Sequence, residues 1–166
     1  SVNWLHGAVA KGLNAKVEMV VRAVKTEFPN FKNYAFDDPA RSYYSEPQTL
    51  FDAAIDDNGQ AVVPMKMANN ENAAPGKLIA NFKVRAFERS GDFSTDNFAM
   101  DVYPYDRFVG VNIPSESRWG GKTIDDRGSV ITFAMVDKNG KPLAGQDIQV
   151  GLYRCDWRWW WDEDQG

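Results

Sequence analysis

A single cysteine, Cys155, and a single histidine, His6, are all that the 166 residues contain, and those two scarcities exclude a good deal of chemistry. One cysteine leaves no internal disulfide and no cysteine-based zinc site, so Cys155 is read as a small residue in a strand. One histidine near the N-terminus leaves no base for a Ser-His-Asp or Cys-His arrangement, so His6 is read as a surface or edge-strand residue. Lysine and arginine form no block and the formal net charge is -4, which removes the electrostatic footprint expected of a nucleic-acid binder or of a protein held to an anionic membrane. No apolar run approaches the ~20 residues of a membrane-spanning helix, and the N-terminus lacks the charged and apolar regions of a signal peptide. A sustained helical period is missing too; only Gln48 to Ala54 is expected to form a short turn of helix.

What the chain does have is apolar and aromatic material, 43% and 13% of its residues, enough for packed cores. That material is arranged with a period of two. Leu78, Ala80, Phe82, Val84 and Ala86 alternate with Asn81, Lys83 and Arg85, and Ala15, Val17, Met19, Val21 and Ala23 alternate with Lys16, Glu18 and Arg22. Each set is a half-buried strand. Val62–Met67, Phe98–Tyr103, Phe108–Ile113, Ser129–Asp137 and Asp147–Trp161 are further strand candidates. Between strands, Asn58-Gly59 and Asn139-Gly140 offer the positive φ values of tight hairpins, and Pro75-Gly76 breaks the chain ahead of a strand. Short strands joined by turns predict an all-β fold of antiparallel β-sandwich type, immunoglobulin-like or fibronectin type III-like. Pro104, between Tyr103 and Tyr105, interrupts the pattern just before a new strand and suits a stiff joint. Two units are therefore expected, residues 1–106 and residues 107–166, the second with fewer strands than a complete sandwich. Phe28 to Glu46 reads as a long connection whose aromatics either plug gaps over a sandwich edge or form an aromatic ligand surface.

Candidate chemistry is sparse. Asp37-Asp38, Asp56-Asp57 and Asp125-Asp126 are adjacent acids, but neighbours on a strand point apart and acids in loops are ordinarily solvated turn residues, so no glycosidase pair is assigned. Asp162-Glu163-Asp164 and Asp137-Lys138-Asn139-Gly140 lack the alternate-position acids and distant glutamate of an EF-hand. Gly120-Gly121-Lys122-Thr123 lacks the earlier glycine and the strand-to-helix setting of a phosphate-binding loop. No catalytic, cofactor-binding or metal-ligating residue is assigned, and no cofactor is expected.

The richest stretch is Tyr153-Arg154-Cys155-Asp156-Trp157-Arg158-Trp159-Trp160-Trp161-Asp162, which holds four of the six tryptophans. Successive aromatics on an extended strand point to both faces, so at least one face is built to be covered. Trp157, Arg158, Trp159, Trp160 and Trp161 are the candidate surface. They either pack between domains, with Arg154 and Arg158 pairing acids or stacking on rings, or stack on sugar rings as in a carbohydrate-binding or adhesin-type module. Consecutive tryptophans favour packing, because a planar sugar platform needs them on one face only.

That stretch resembles a strand of the bacterial alpha-2-macroglobulins. Phe87-Glu88-Arg89-Ser90-Gly91-Asp92-Phe93-Ser94-Thr95-Asp96 and Tyr103-Pro104-Tyr105-Asp106-Arg107-Phe108-Val109-Gly110 resemble the same proteins just upstream of it. Trp4-Leu5-His6-Gly7-Ala8 and Asp56-Asp57-Asn58-Gly59-Gln60-Ala61 resemble the openings and turns of macroglobulin-like domains. The resemblance implies an excised piece of a longer protease inhibitor, one that traps proteases when a bait segment is cleaved and its domains rearrange, in many members with a thioester. The thioester signature Cys-Gly-Glu-Gln is absent from this chain, so Cys155 is not the reactive cysteine. The implied role of the piece is noncatalytic and mechanical: its partners are neighbouring macroglobulin-like domains, and proteases are targets of the full-length protein. The implied location of the parent is the periplasm or cell envelope, often with a lipid anchor that this piece does not contain.

Overall fold

The computed structural model describes residues 12–65, 74–88, 91–113 and 130–151. Among them the chain is built from six strands and one short 3-10 turn at Pro29–Phe31, with no longer helix. The strands are β1 (Asn14–Ala23), β2 (Gln48–Ala54), β3 (Leu78–Phe87), β4 (Phe93–Val102), β5 (Arg107–Asn112) and β6 (Thr132–Asp137). They form a four-stranded sheet in the order β2-β1-β3-β4 and a two-stranded sheet of β5 and β6. Every pairing is antiparallel, so the all-β antiparallel architecture expected from the period-two alternation is the architecture found.

The alternation also sets the faces. β1 and β3 pair with Ala15 opposite Ala86, Val17 opposite Val84, Met19 opposite Phe82, Val21 opposite Ala80 and Ala23 opposite Leu78. The apolar sets of both strands therefore fall on one side, while Lys16, Glu18, Lys83 and Arg85 share the other, where Glu18 pairs with Lys16 at 3.2 Å and with Arg85 at 3.5 Å. Met19, Val21, Leu78, Ala80 and Phe82 are buried together with Ala74, and Tyr43, Leu50, Val102 and Tyr105 pack against them from strands and connections.

Several expectations change. Gln48–Ala54 is strand β2 and not a helical turn: pairing along β1, from Asn14 opposite Ala54 to Met19 opposite Gln48, outweighs a weak local preference. A bulge between Val17 and Glu18 skips Leu50 in that register, so the consecutive residues Leu50 and Phe51 both reach apolar clusters. The described part of Val62–Met67 and of Asp147–Trp161 carries no strand, and Val62 is 91% exposed because no neighbouring strand receives it. β4 instead starts earlier than expected, at Phe93, since its ladder with β3 runs on to Phe87 despite the polar run Ser94 to Asn97.

The Asn-Gly turns also differ from two-residue hairpins. Only glycines have positive φ among the described residues, so Asn58 and Asn139 keep ordinary conformations while Gly59 and Gly140 take φ of 70° and 79°. Each loop is a three-residue turn with a glycine bulge. Asp56 Oδ1 accepts the Asn58 and Gln60 amides at 2.9 and 2.7 Å, and Asp137 Oδ1 accepts those of Asn139 and Lys141 at 2.8 and 2.9 Å. An aspartate two residues before the asparagine selects this turn, because its carboxylate bonds the amides that the wider loop turns inward.

Met19→Ala is expected to lower stability by about 2–4 kcal/mol through lost burial and a residual cavity, whereas Lys83→Ala on the polar face is expected to change it by less than about 0.5 kcal/mol. Chemical denaturation of both variants measures the contrast.

Candidate functional site at the joint between the sheets

The sequence between β1 and β2 contains more aromatic residues than a connection needs, and its hydrogen bonds show why. At its roots it belongs to the four-stranded sheet: the Val24 amide donates to the Lys77 carbonyl at 3.1 Å, and on return the Ala23 and Ser45 amides bond the Tyr43 and Val21 carbonyls at 2.9 and 2.8 Å. In between, the chain leaves that sheet, makes the turn at Pro29–Phe31 and lays Ala35 against Val111 of β5, with reciprocal backbone hydrogen bonds of 2.9 Å in each direction.

Thr26 and Asp37 button the two legs of this excursion together. The Thr26 amide reaches both carboxylate oxygens of Asp37, at 3.2 and 3.0 Å, and its hydroxyl donates to Oδ1. The same hydroxyl oxygen accepts the Lys77 amide at 2.7 Å, which ties the button to the start of β3. Thr26 is 2% exposed, so a carboxylate acceptor satisfies polar groups that burial would otherwise leave at a cost. The neighbouring Asp38 caps its own turn through the Ala40 amide at 2.9 Å and pairs with Arg41 at 2.9 Å. Asp38 is thus the turn residue expected of adjacent loop acids, whereas Asp37 departs from that expectation by bonding the buried Thr26.

Beyond the button the aromatics form a core. Phe28, Phe36, Phe108 and Val136 are buried as one cluster, with Phe31, Tyr34 and Tyr105 packed on it. Phe28 meets Phe36 edge-on at 4.8 Å and Phe108 at 5.7 Å, and Tyr105 meets Phe108 at 6.0 Å, all in the favourable T-shaped range. Two glycines form the floor, Gly110 on β5 and Gly140 in the turn that follows β6. A Cβ on Gly110 would lie 2.5 Å from the Phe36 ring, and one on Gly140 would lie 2.9 Å from the Phe28 ring. Of the aromatics in the Phe28–Glu46 connection, Phe28, Phe31, Tyr34 and Phe36 therefore plug a gap at the second sheet, Tyr43 packs on the first cluster, and Tyr44 is exposed.

The linker between the sheets, residues 103–106, is held as well. Tyr105 donates its hydroxyl to the Ala74 carbonyl at 2.7 Å. Lys77 lies 2.7 Å from Asp101 and 5.6 Å from the centre of the Tyr103 ring. The hydrogen bond to Asp101 holds the Lys77 ammonium above the ordinary lysine value of 10.5, against a weaker opposing pull from burial. Beside the joint is a recess of about 450 Å³ lined by Phe36, Phe108, Phe133, Ile148 and Val150, so the first residues of the Asp147–Trp161 stretch border the same aromatic cluster.

Trp157, Arg158, Trp159, Trp160 and Trp161 lie outside the described residues, as do Arg154, Cys155, His6, Asp125-Asp126, Gly120 to Thr123 and Asp162 to Asp164. Asp56 and Asp137 are occupied in their turns. Among the described residues no three or more His, Cys, Asp or Glu side chains gather at one place. Sequence reasoning missed the roles of Thr26, Asp37 and Gly110. Gly110 was detectable, since a glycine inside the strand pattern Phe108–Ile113 marks a close approach of something to the backbone.

Two family profiles match the chain: the bacterial alpha-2-macroglobulin MG5 domain over residues 1–104 and bacterial macroglobulin domain 6 over residues 112–166. The alpha-2-macroglobulin of Escherichia coli (strain K12) is 26% identical over 176 residues, covering 98% of this chain and 10% of that protein. Among solved structures, the native conformation of E. coli alpha-2-macroglobulin, seen by cryo-electron microscopy, superposes with a TM-score of 0.54 at 18% identity, over 84% of this chain and 9% of that one. The crystal structure of the trypsin-activated E. coli protein superposes with a TM-score of 0.51 at 19% identity, over 84% and 10%. These two likenesses bear on the fold, which is that of macroglobulin domains. The chain spans about a tenth of the length of the relatives it matches.

Alanine at three glycines separates the two constraints. Gly91→Ala, with φ of 96° and open space around it, is expected to cost about 1–2 kcal/mol from backbone conformation alone. Gly110→Ala is expected to cost about 1–3 kcal/mol from displacing Phe36. Gly140→Ala meets both constraints and is expected to be the least stable of the three by thermal denaturation. A second expectation concerns Lys77. Its folded pKa is raised, so the stability it contributes is complete below 10.5 and is lost as the pH climbs through the raised value. Lys77→Met is therefore expected to be less stable than wild type at pH 7, by at most about 1 kcal/mol for a partly solvated pair, and that gap is expected to close in alkaline denaturation curves.

Proposed function

The chain belongs to the bacterial alpha-2-macroglobulin family, and from that premise we propose that it is a noncatalytic structural piece of a protease-trapping inhibitor, comprising residues 1–106 as one macroglobulin-like unit and residues 107–166 as the next. Its task is to hold neighbouring domains of the parent chain in register while other parts of that chain meet the protease. The observation that carries this reading is the joint itself: Phe28 and Phe36 of the connection are buried against Phe108 and Val136 of the second sheet, and the Thr26–Asp37 bonds close the connection that carries them. A site for catalysis would instead present ionisable groups converging on a cleft. The parent acts in the periplasm or cell envelope, and the residues Trp157 to Trp161 add to the packing between its domains.

The test is comparative. The full-length parent, incubated with trypsin and passed over a sizing column, is expected to retain the protease, while the 166-residue chain is expected to leave it free and to hydrolyse nothing. Inhibition by the isolated chain would refute the scaffold role. Retention of a glycan by the chain, lost in a Trp157→Phe, Trp159→Phe, Trp161→Phe variant, would establish a carbohydrate-binding module instead.

A further inference from the structure

The two sheets are unequal partners. Among the described residues, the four-stranded sheet has buried residues of its own on β1 and β3, whereas of the four residues buried in the second cluster two, Phe108 and Val136, come from β5 and β6. The other two, Phe28 and Phe36, come from the β1–β2 connection. An isolated two-stranded ribbon is marginal in water, because one pair of strands buries too little apolar surface to offset the entropy of ordering it. β5 and β6 pair with each other; among the described residues the Ala35–Val111 bridge extends the β5 edge with backbone from the same connection, and the Val136–Pro142 bridge adds a short return of the second unit's own chain on the β6 edge.

We propose that residues 24–38 are a coupling strap: a segment of the first unit that supplies the second unit's core, so that the β5–β6 sheet holds its structure only while the strap is seated and the two units respond to load as one body. The strap is rooted by Val24 on β3 and closed by the Thr26–Asp37 button, which places Phe36, the residue just before Asp37, over Gly110. Gly110 and Gly140 are the matching sockets in the second unit. Without side chains there, the rings of Phe36 and Phe28 rest directly on backbone, and a packed contact of that kind has one seated arrangement with no intermediate positions. Loosening the button would act at a distance on β5 through the ring that the button positions. The coupling goes beyond the scaffold role proposed above. It is a property of this chain alone and is measured without any protease, so either idea can fail while the other survives.

Hydrogen exchange followed by mass spectrometry on the 166-residue chain tests it, with peptides covering β1 and β3 compared with peptides covering β5 and β6. Phe36→Ala is expected to accelerate exchange in β5 and β6 by about tenfold or more, the factor that ~1.4 kcal/mol of lost opening free energy produces. Asp37→Asn is expected to give the same pattern with smaller size, and Phe36→Leu serves in place of Phe36→Ala should the alanine variant not fold. Phe98→Ala, which removes an equal ring from β4 of the first sheet, is the control and is expected to leave β5 and β6 no faster than β1 and β3. Unchanged protection of β5 and β6 in the Phe36 variants would overturn the strap. So would equal loosening of β5 and β6 by Phe98→Ala, since loss of protection there would then report general destabilisation.

Discussion

The contact on which the joint depends is an aromatic ring lying on bare backbone. Phe36 occupies the space that a Cβ on Gly110 would need, and Phe28 does the same at Gly140. Phe28 and Phe36 close the cluster formed with Phe108 and Val136, so among the described residues the buried core of the second sheet forms where the first half of the chain has reached across to it. The Thr26–Asp37 button makes that reach reproducible. It converts a long excursion, whose ends would otherwise be joined only at the sheet, into a closed loop with a defined tip.

Polar chemistry in this chain serves the same end. Asp37, Asp56 and Asp137 each direct a carboxylate at backbone amides, a charge-assisted acceptor that at Asp37 serves the buried Thr26 and at Asp56 and Asp137 fixes exposed turns. Lys77 spans from the start of β3 to Asp101 near the end of β4 and lies over Tyr103, the first residue of the linker. Tyr105, two residues further on, is anchored to the Ala74 carbonyl. The linker around Pro104 is thereby held at both of its tyrosines. Charged residues on the outward face of the four-stranded sheet, such as Glu18 between Lys16 and Arg85, contribute little by comparison because water screens them.

The family assignment gives this economy a setting. The chain spans about a tenth of the length of the relatives it matches, and among its described residues Thr26, Asp37, Asp56 and Asp137 are engaged in structural bonds. Phe98 and Met100 on β4 are each about half exposed on the side that β1 and β3 bury, and Phe93 is exposed as well.

The sequence by itself determined the strands with clear alternation, the faces they bury and the sites of the turns, because those follow from side-chain periodicity and from residues within a few positions of one another. β1, β3 and β5 fall almost where alternation places them. Resemblance in the aromatic second half was enough to identify the family. Tertiary structure decided the rest. β2 is a strand because β1 lies beside it; Asp37 is a button because Thr26 faces it across 11 positions and Lys77 meets the same hydroxyl across 51. Tyr34 reaches Thr132 across 98 positions. Contacts at such separations depend on how whole sheets come together, and periodicity, which reports only the two faces of a strand, holds no information about which distant ring will rest on which glycine.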